Sequence, residues 1–69
     1  MNDYIVELES ITENDNRVVN ACNFYKHINA QTARQARWIA RRKFDAEYQS
    51  ISGRTIIKVI NVYMKVGEV

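Results

Sequence analysis

The sequence contains no proline and only two glycines, Gly53 and Gly67. With no proline, no serine-rich or glycine-rich stretch and no repeat, it leaves no room for a flexible linker, so residues 1–69 are expected to form a single small domain. Cys22 is the sole cysteine and His27 the sole histidine. One thiol excludes an intramolecular disulfide and a thiolate cluster, and one imidazole leaves too few ligands for a transition-metal centre. A glycine-rich phosphate loop is missing as well, and no metal or cofactor is expected. No apolar run approaches the length of a membrane span, and Met1-Asn2-Asp3-Tyr4-Ile5 lacks the basic start of a signal peptide. The expectation is a soluble, cytoplasmic protein with no membrane partner.

Charge of one sign is missing from two stretches. Residues 1–15 carry five acids (Asp3, Glu7, Glu9, Glu13, Asp15) and no base, whereas residues 33–43 carry Arg34, Arg37, Arg41, Arg42 and Lys43 and no acid. The net charge of +2 therefore hides a dipolar molecule with one acidic and one basic side. A 69-residue chain also buries little of its unfolded surface, which points to support from a partner or a second copy.

Residues 4–11 alternate, with Tyr4, Val6 and Leu8 on one side and Glu7 and Glu9 on the other, the period of a half-buried strand. Thr12 to Asn16 is a run of turn formers in which the chain is expected to reverse. Residues 17–28 are rich in β-branched and aromatic types but alternate unevenly, which fits a long second strand with a bulge, Phe24 and Ile28 facing the core.

From Thr32 the period changes to that of a helix. Thr32 suits an N-cap and Gln35 completes a capping-box pattern. Projected at 100° per residue, Ala33, Ala36, Ile39, Ala40 and Phe44 share the buried arc. Arg34, Trp38, Arg41, Arg42 and Asp45 take the opposite arc, with Arg37 and Tyr48 at its boundary; Asp45 is placed to pair with Arg41 four residues before it. Ser50 to Arg54, with Gly53, is expected to close the helix. Thr55 to Val66 reads as a last strand, apolar on both sides, with Ile57 and Val59 toward the helix and Lys58 beside Glu7 and Glu9. The expected fold is α+β: a β-β-α-β chain forming a three-stranded antiparallel sheet of order 2-1-3, one helix packed on one face. Ile5, Ile11, Ile56 and Ile60 would lie on the uncovered face, a surface for a homodimer or another protein.

The strand ending in Ile28-Asn29-Ala30, the capped helix Thr32 to Phe44 and the final Ile57-Lys58-Val59-Ile60-Asn61-Val62 together resemble small phage and mobile-element proteins, among them sheet-plus-helix anti-CRISPR proteins. The likeness is one of architecture and helix pattern and covers most of the chain. It implies a compact binder that inhibits a host protein or nucleoprotein complex by occupying a binding surface.

Catalysis is not expected. Cys22 and His27, five residues apart, fall on opposite faces of a regular strand, and Glu7 and Glu9 share a solvated strand face. The candidate binding residues are Arg34, Arg37, Trp38, Arg41, Arg42 and Tyr48, because arginine and aromatic side chains concentrate interface energy. The same residues offer a nucleic acid both phosphate neutralisation and a stacking surface, so direct nucleic-acid contact is the alternative. Glu7, Glu9, Glu13 and Asp15 form a second, acidic candidate surface, able to compete with nucleic acid for a basic groove.

Overall fold

A computed structural model describes residues 1–65. Five elements follow one another: β1 (Asn2–Asn14), β2 (Arg17–Ala30), α1 (Ala33–Phe44), β3 (Ala46–Ser50) and β4 (Gly53–Met64). The fold is α+β, and its sheet is antiparallel with four strands in the order β2-β1-β4-β3. The expected neighbours of the first strand are found. The count of three strands and the order 2-1-3 are corrected, because a short strand intervenes between the helix and the last strand. The expected end of the last strand at Val66 lies outside the described residues.

That extra strand replaces the end of the expected helix. The N-terminus forms as its residues dictate: the Thr32 hydroxyl accepts from the Gln35 amide at 3.1 Å, and Gln35 Oε1 reaches back to the Gln31 amide at 2.6 Å. Arg41, Arg42 and Lys43 in the last turn complement the negative end of the helix dipole. The helix then stops at Phe44, because Asp45 is needed in an extended conformation (φ −60°, ψ 126°). Its amide still donates to the Arg41 carbonyl, while its carboxylate accepts from the Val59 amide of β4 at 2.9 Å. Asp45 is therefore tied to the sheet and is not the partner of the Arg41 guanidinium. Residues 46–50 pair with β4 from Ala46–Ile57 to Ser50–Gly53, so tertiary pairing overrides a local sequence that continues the helix comfortably.

The turns follow backbone sterics. Asp15 and Asn16, with φ of 52° and 62°, form a two-residue loop between β1 and β2, so the first reversal is shorter than Thr12 to Asn16 and β1 runs on to Asn14. Gly53 does not close the helix; it closes the β3–β4 hairpin with φ +127°, directly against the backbone of Glu13.

Two bulges set the phase of the sheet. In β2 the extra residue is Val19, since Thr12 faces Asn20 and Glu13 faces Val18. In β4 it is Ile60, since Glu7 faces Asn61 and Leu8 faces Val59. A bulge reverses the parity of the strand beyond it, so Ile57 and Val59 face the helix on one side of Ile60 and Val62 does so on the other.

The core is small: Tyr4, Val6, Leu8, Ile28, Ala30, Ala36, Ala40 and Val59, edged by Phe24, Ile39, Phe44, Ile57 and Val62. Val6 and Leu8 are the largest side chains fully withdrawn from water, each worth about 1.5–3 kcal/mol. The alanines of α1 bring its axis close to the sheet. The result is a slab with extents of 47 × 23 × 14 Å.

Gly53→Ala is expected to destabilise the protein by roughly 1–3 kcal/mol, because the added Cβ would overlap the Glu13 carbonyl oxygen at a φ that L-residues avoid. Urea unfolding midpoints of this variant and of Ser52→Ala check it; the latter is expected within about 0.5 kcal/mol of the parent.

Candidate functional site

The outer surface of α1 presents Arg37, Arg41, Arg34, Trp38 and Arg42 side by side, all exposed. Local sequence places them there. Ala36 and Ala40 are completely buried against the sheet, and the remaining arc of a 3.6-residue helix must carry these five. Trp38 is 58% exposed, and the Arg42 guanidinium, one turn on, lies 5.0 Å from the centre of its ring. That distance is a cation–π contact, which holds the indole and the arginine in one stacked unit at the surface. No acid interrupts the helix, and the nearest carboxylate, Asp45, is engaged by Val59. Tyr48, expected at the margin of this arc, is on β3 opposite Thr55 and belongs to the sheet edge.

The acidic residues divide between two places. Glu7, Glu9 and Glu13 point to the uncovered side of the sheet, the side opposite α1, while Asp15 is in the β1–β2 turn. Glu13 and Asp15 line a shallow concavity of about 380 Å³ between the two hairpin turns, with Asn14, Asn16, Gln49 and Arg54. Lys58 stands opposite Glu9 in the register, yet the ion pair found on this face joins Arg54 to Glu47 at 2.7 Å. Ile5, Ile11 and Ile56 lie half-buried on the same face.

At the centre of that face Glu7 organises an array that alternation along the strands does not predict. Its Oε2 accepts from Asn23 Nδ2 at 2.9 Å and, more weakly, from the Tyr25 hydroxyl at 3.5 Å. Its Oε1 accepts from Asn61 Nδ2 at 3.1 Å and from the Tyr63 hydroxyl at 3.0 Å. An Asn-x-Tyr step on β2 and another on β4 thus clasp one carboxylate from both sides. The repeated Asn-x-Tyr was the available signal, but on alternation alone Asn61 and Tyr63 share the parity of Ile57 and Val59; the Ile60 bulge turns them to the other face. With four donors on its two oxygens, Glu7 has its acceptor sites filled and is a fixed structural anion.

The same bonds set its acidity. Donation from Asn61 and Tyr63, joined by Asn23 and Tyr25, holds the Glu7 carboxyl below its ordinary 4.5 against the opposing effect of desolvation. Conversely, Tyr63 is raised above its ordinary 10.0, chiefly because its hydroxyl donates to Glu7 and also because a phenolate would form beside that anion.

Cys22 and His27 face opposite sides of β2, Cys22 across from Ser10 and His27 across from Ile5. Among the described residues no group of three or more His, Cys, Asp or Glu is placed to hold a metal ion, and no helix is long and apolar enough to cross a membrane. No family model matches the chain, and comparison with curated proteins and with solved structures likewise gives no match.

Because the folded Glu7 carboxyl is the stronger acid, its contribution to stability is present above pH 4.5 and is lost as the pH falls through its lower folded value. For Tyr63 the sign is opposite: the contribution is present below pH 10.0 and is lost as the pH rises through the higher folded value. In Glu7→Gln the acid-side loss attributable to Glu7 is expected to disappear and the Tyr63 ionisation to move back toward 10.0, as read by pH-dependent urea midpoints and ultraviolet phenolate titration.

Proposed function

We propose that this protein is a small inhibitor of the phage or mobile-element kind, which binds a host protein or nucleoprotein complex through the outer face of α1 and blocks the surface it occupies. One observation carries the reading: a tryptophan more than half exposed, held in place by the Arg42 guanidinium and flanked by Arg34, Arg37 and Arg41. Exposing an indole in water without a partner gives up the burial that tryptophan usually obtains, whereas a Trp–Arg pair already in contact presents a large apolar and cationic surface for a partner to cover. Tryptophan and arginine are also the side chains whose truncation most often costs an interface ~2 kcal/mol or more. Catalysis has no part in this proposal, which needs only contact area and complementary charge.

Direct nucleic-acid binding is the second reading, favoured by five basic side chains on a helix without a carboxylate. An arginine face can neutralise phosphates while Trp38 stacks on an unpaired base. The carboxylates of the uncovered sheet lie on the other side of the slab and would not face a strand laid along the helix.

Affinity capture from host lysate, with and without nuclease treatment, is expected to recover one stoichiometric protein or nucleoprotein partner. Trp38→Ala and Arg41→Glu should each weaken that interaction by ~30-fold, the equivalent of about 2 kcal/mol, with circular dichroism unchanged. Failure to recover any stoichiometric partner overturns the inhibitor reading. A gel shift with single-stranded and duplex oligonucleotides tests the alternative: affinity that falls steeply with salt supports it, and no shift at low ionic strength eliminates it.

A further inference from the structure

The two edges of the sheet are finished differently. On the β3 side the edge strand is only five residues long, and just beyond it the Asp45 carboxylate accepts from the Val59 amide. The Ile60 bulge interrupts the remainder of β4. On the other side β2 runs for fourteen residues, and among the described residues its one neighbour is β1. It contains neither proline nor acid, and residues 17–27 are exposed apart from a half-buried Phe24. Natural sheets guard such an edge with short strands, prolines, bulges or inward charges. Here the guards are the Val19 bulge, near the turn, and Lys26; between them Asn20 to Tyr25 is regular, unguarded strand.

The geometry points to a second copy of this chain as the occupant of that edge: β2 pairs antiparallel with β2 of another molecule about a two-fold axis, giving one continuous eight-stranded sheet. An isologous contact of this kind closes on itself and leaves no free β2 edge to propagate a fibre. Centred near Cys22 and Asn23, it keeps the two Lys26 side chains apart. The size of the monomer favours it. The accessible surface is 5370 Å² where a compact 8.1 kDa monomer has about 4,500 Å², and the radius of gyration is 14.2 Å where about 11 Å is usual. The uncovered sheet face is a poorer self-contact, since Glu7, Glu9 and Glu13 would meet the same carboxylates of the second copy. Edge pairing also leaves the α1 surface free.

Two measurements on the intact chain in reducing buffer test the proposal. Sedimentation equilibrium is expected to show a dimer at micromolar concentration. Hydrogen exchange by NMR is expected to show slow exchange at consecutive amides from Asn20 to Tyr25, because a strand with two antiparallel neighbours bonds every amide while an edge strand bonds every second one. Cys22→Lys, which puts like charges next to the axis at an exposed position, should raise the dimer dissociation constant about tenfold or more and restore the alternating pattern with the spectrum otherwise unchanged. A monomer at all concentrations overturns the proposal. So does a dimer whose β2 amides still alternate, which would place the contact on the sheet face, or a dimer that Cys22→Lys leaves intact. None of these outcomes depends on whether the α1 surface binds a host partner.

Discussion

One extra residue in β4 governs what this molecule shows to solvent. Leu8 and Glu7 are adjacent on β1, but their partners on β4, Val59 and Asn61, are not, because Ile60 is left over between them. Side chains of a strand alternate with a period of two, so one inserted residue exchanges inside for outside along everything that follows. Val62 thereby joins the core, and Asn61 and Tyr63 are delivered to the opposite face, where Asn23 and Tyr25 of β2 complete the clasp on Glu7. Without the bulge, β4 would send a tyrosine and an asparagine under the helix and leave Glu7 with donors on one side only.

The same economy runs through the core. Among the described residues one helix covers the sheet, and it is built so that Ala36 and Ala40 are wholly buried, trading side-chain bulk for close approach. The larger residues of the core come from all three long strands: Tyr4, Val6 and Leu8 of β1, Ile28 of β2 and Val59 of β4. Asp45 joins the two layers: its backbone ends the helix and its side chain satisfies an amide of β4 just past the end of β3. That amide would otherwise be an unpaired donor at a partly buried sheet margin.

Charge is divided across the thin dimension of the slab. The α1 side carries Arg34, Arg37, Arg41 and Arg42; the opposite side carries Glu7, Glu9, Glu13 and Glu47 against Lys58 and Arg54, and is acidic in balance. A thickness of 14 Å exceeds the ~8 Å screening length at physiological ionic strength, so each face acts on its surroundings with its own sign. Glu7 differs from its acidic neighbours in being engaged by four donors, which makes it part of the architecture of the face.

Local pattern alone determined the features that depend on neighbours in sequence. The Thr32 cap, the alanine stripe and the Arg–Trp arc of α1 follow from a period of 3.6, and the burial of Tyr4, Val6 and Leu8 follows from a period of two. Segregated charge was equally visible, because it follows from composition along the chain. Tertiary structure decided the rest. Ala46 to Ser50 carries no pattern that forbids helix, and it became a strand because β4 offered it a ladder and Asp45 a tether. Tyr48 left the helix face for the same reason. The uneven alternation of residues 17–28 announced a bulge, but its position, and the existence of the one at Ile60, depend on how β1 aligns with its neighbours. A bulge is a property of two strands in register, so no single strand's sequence contains it, and the Glu7 cluster that it assembles could be read only once the sheet was folded.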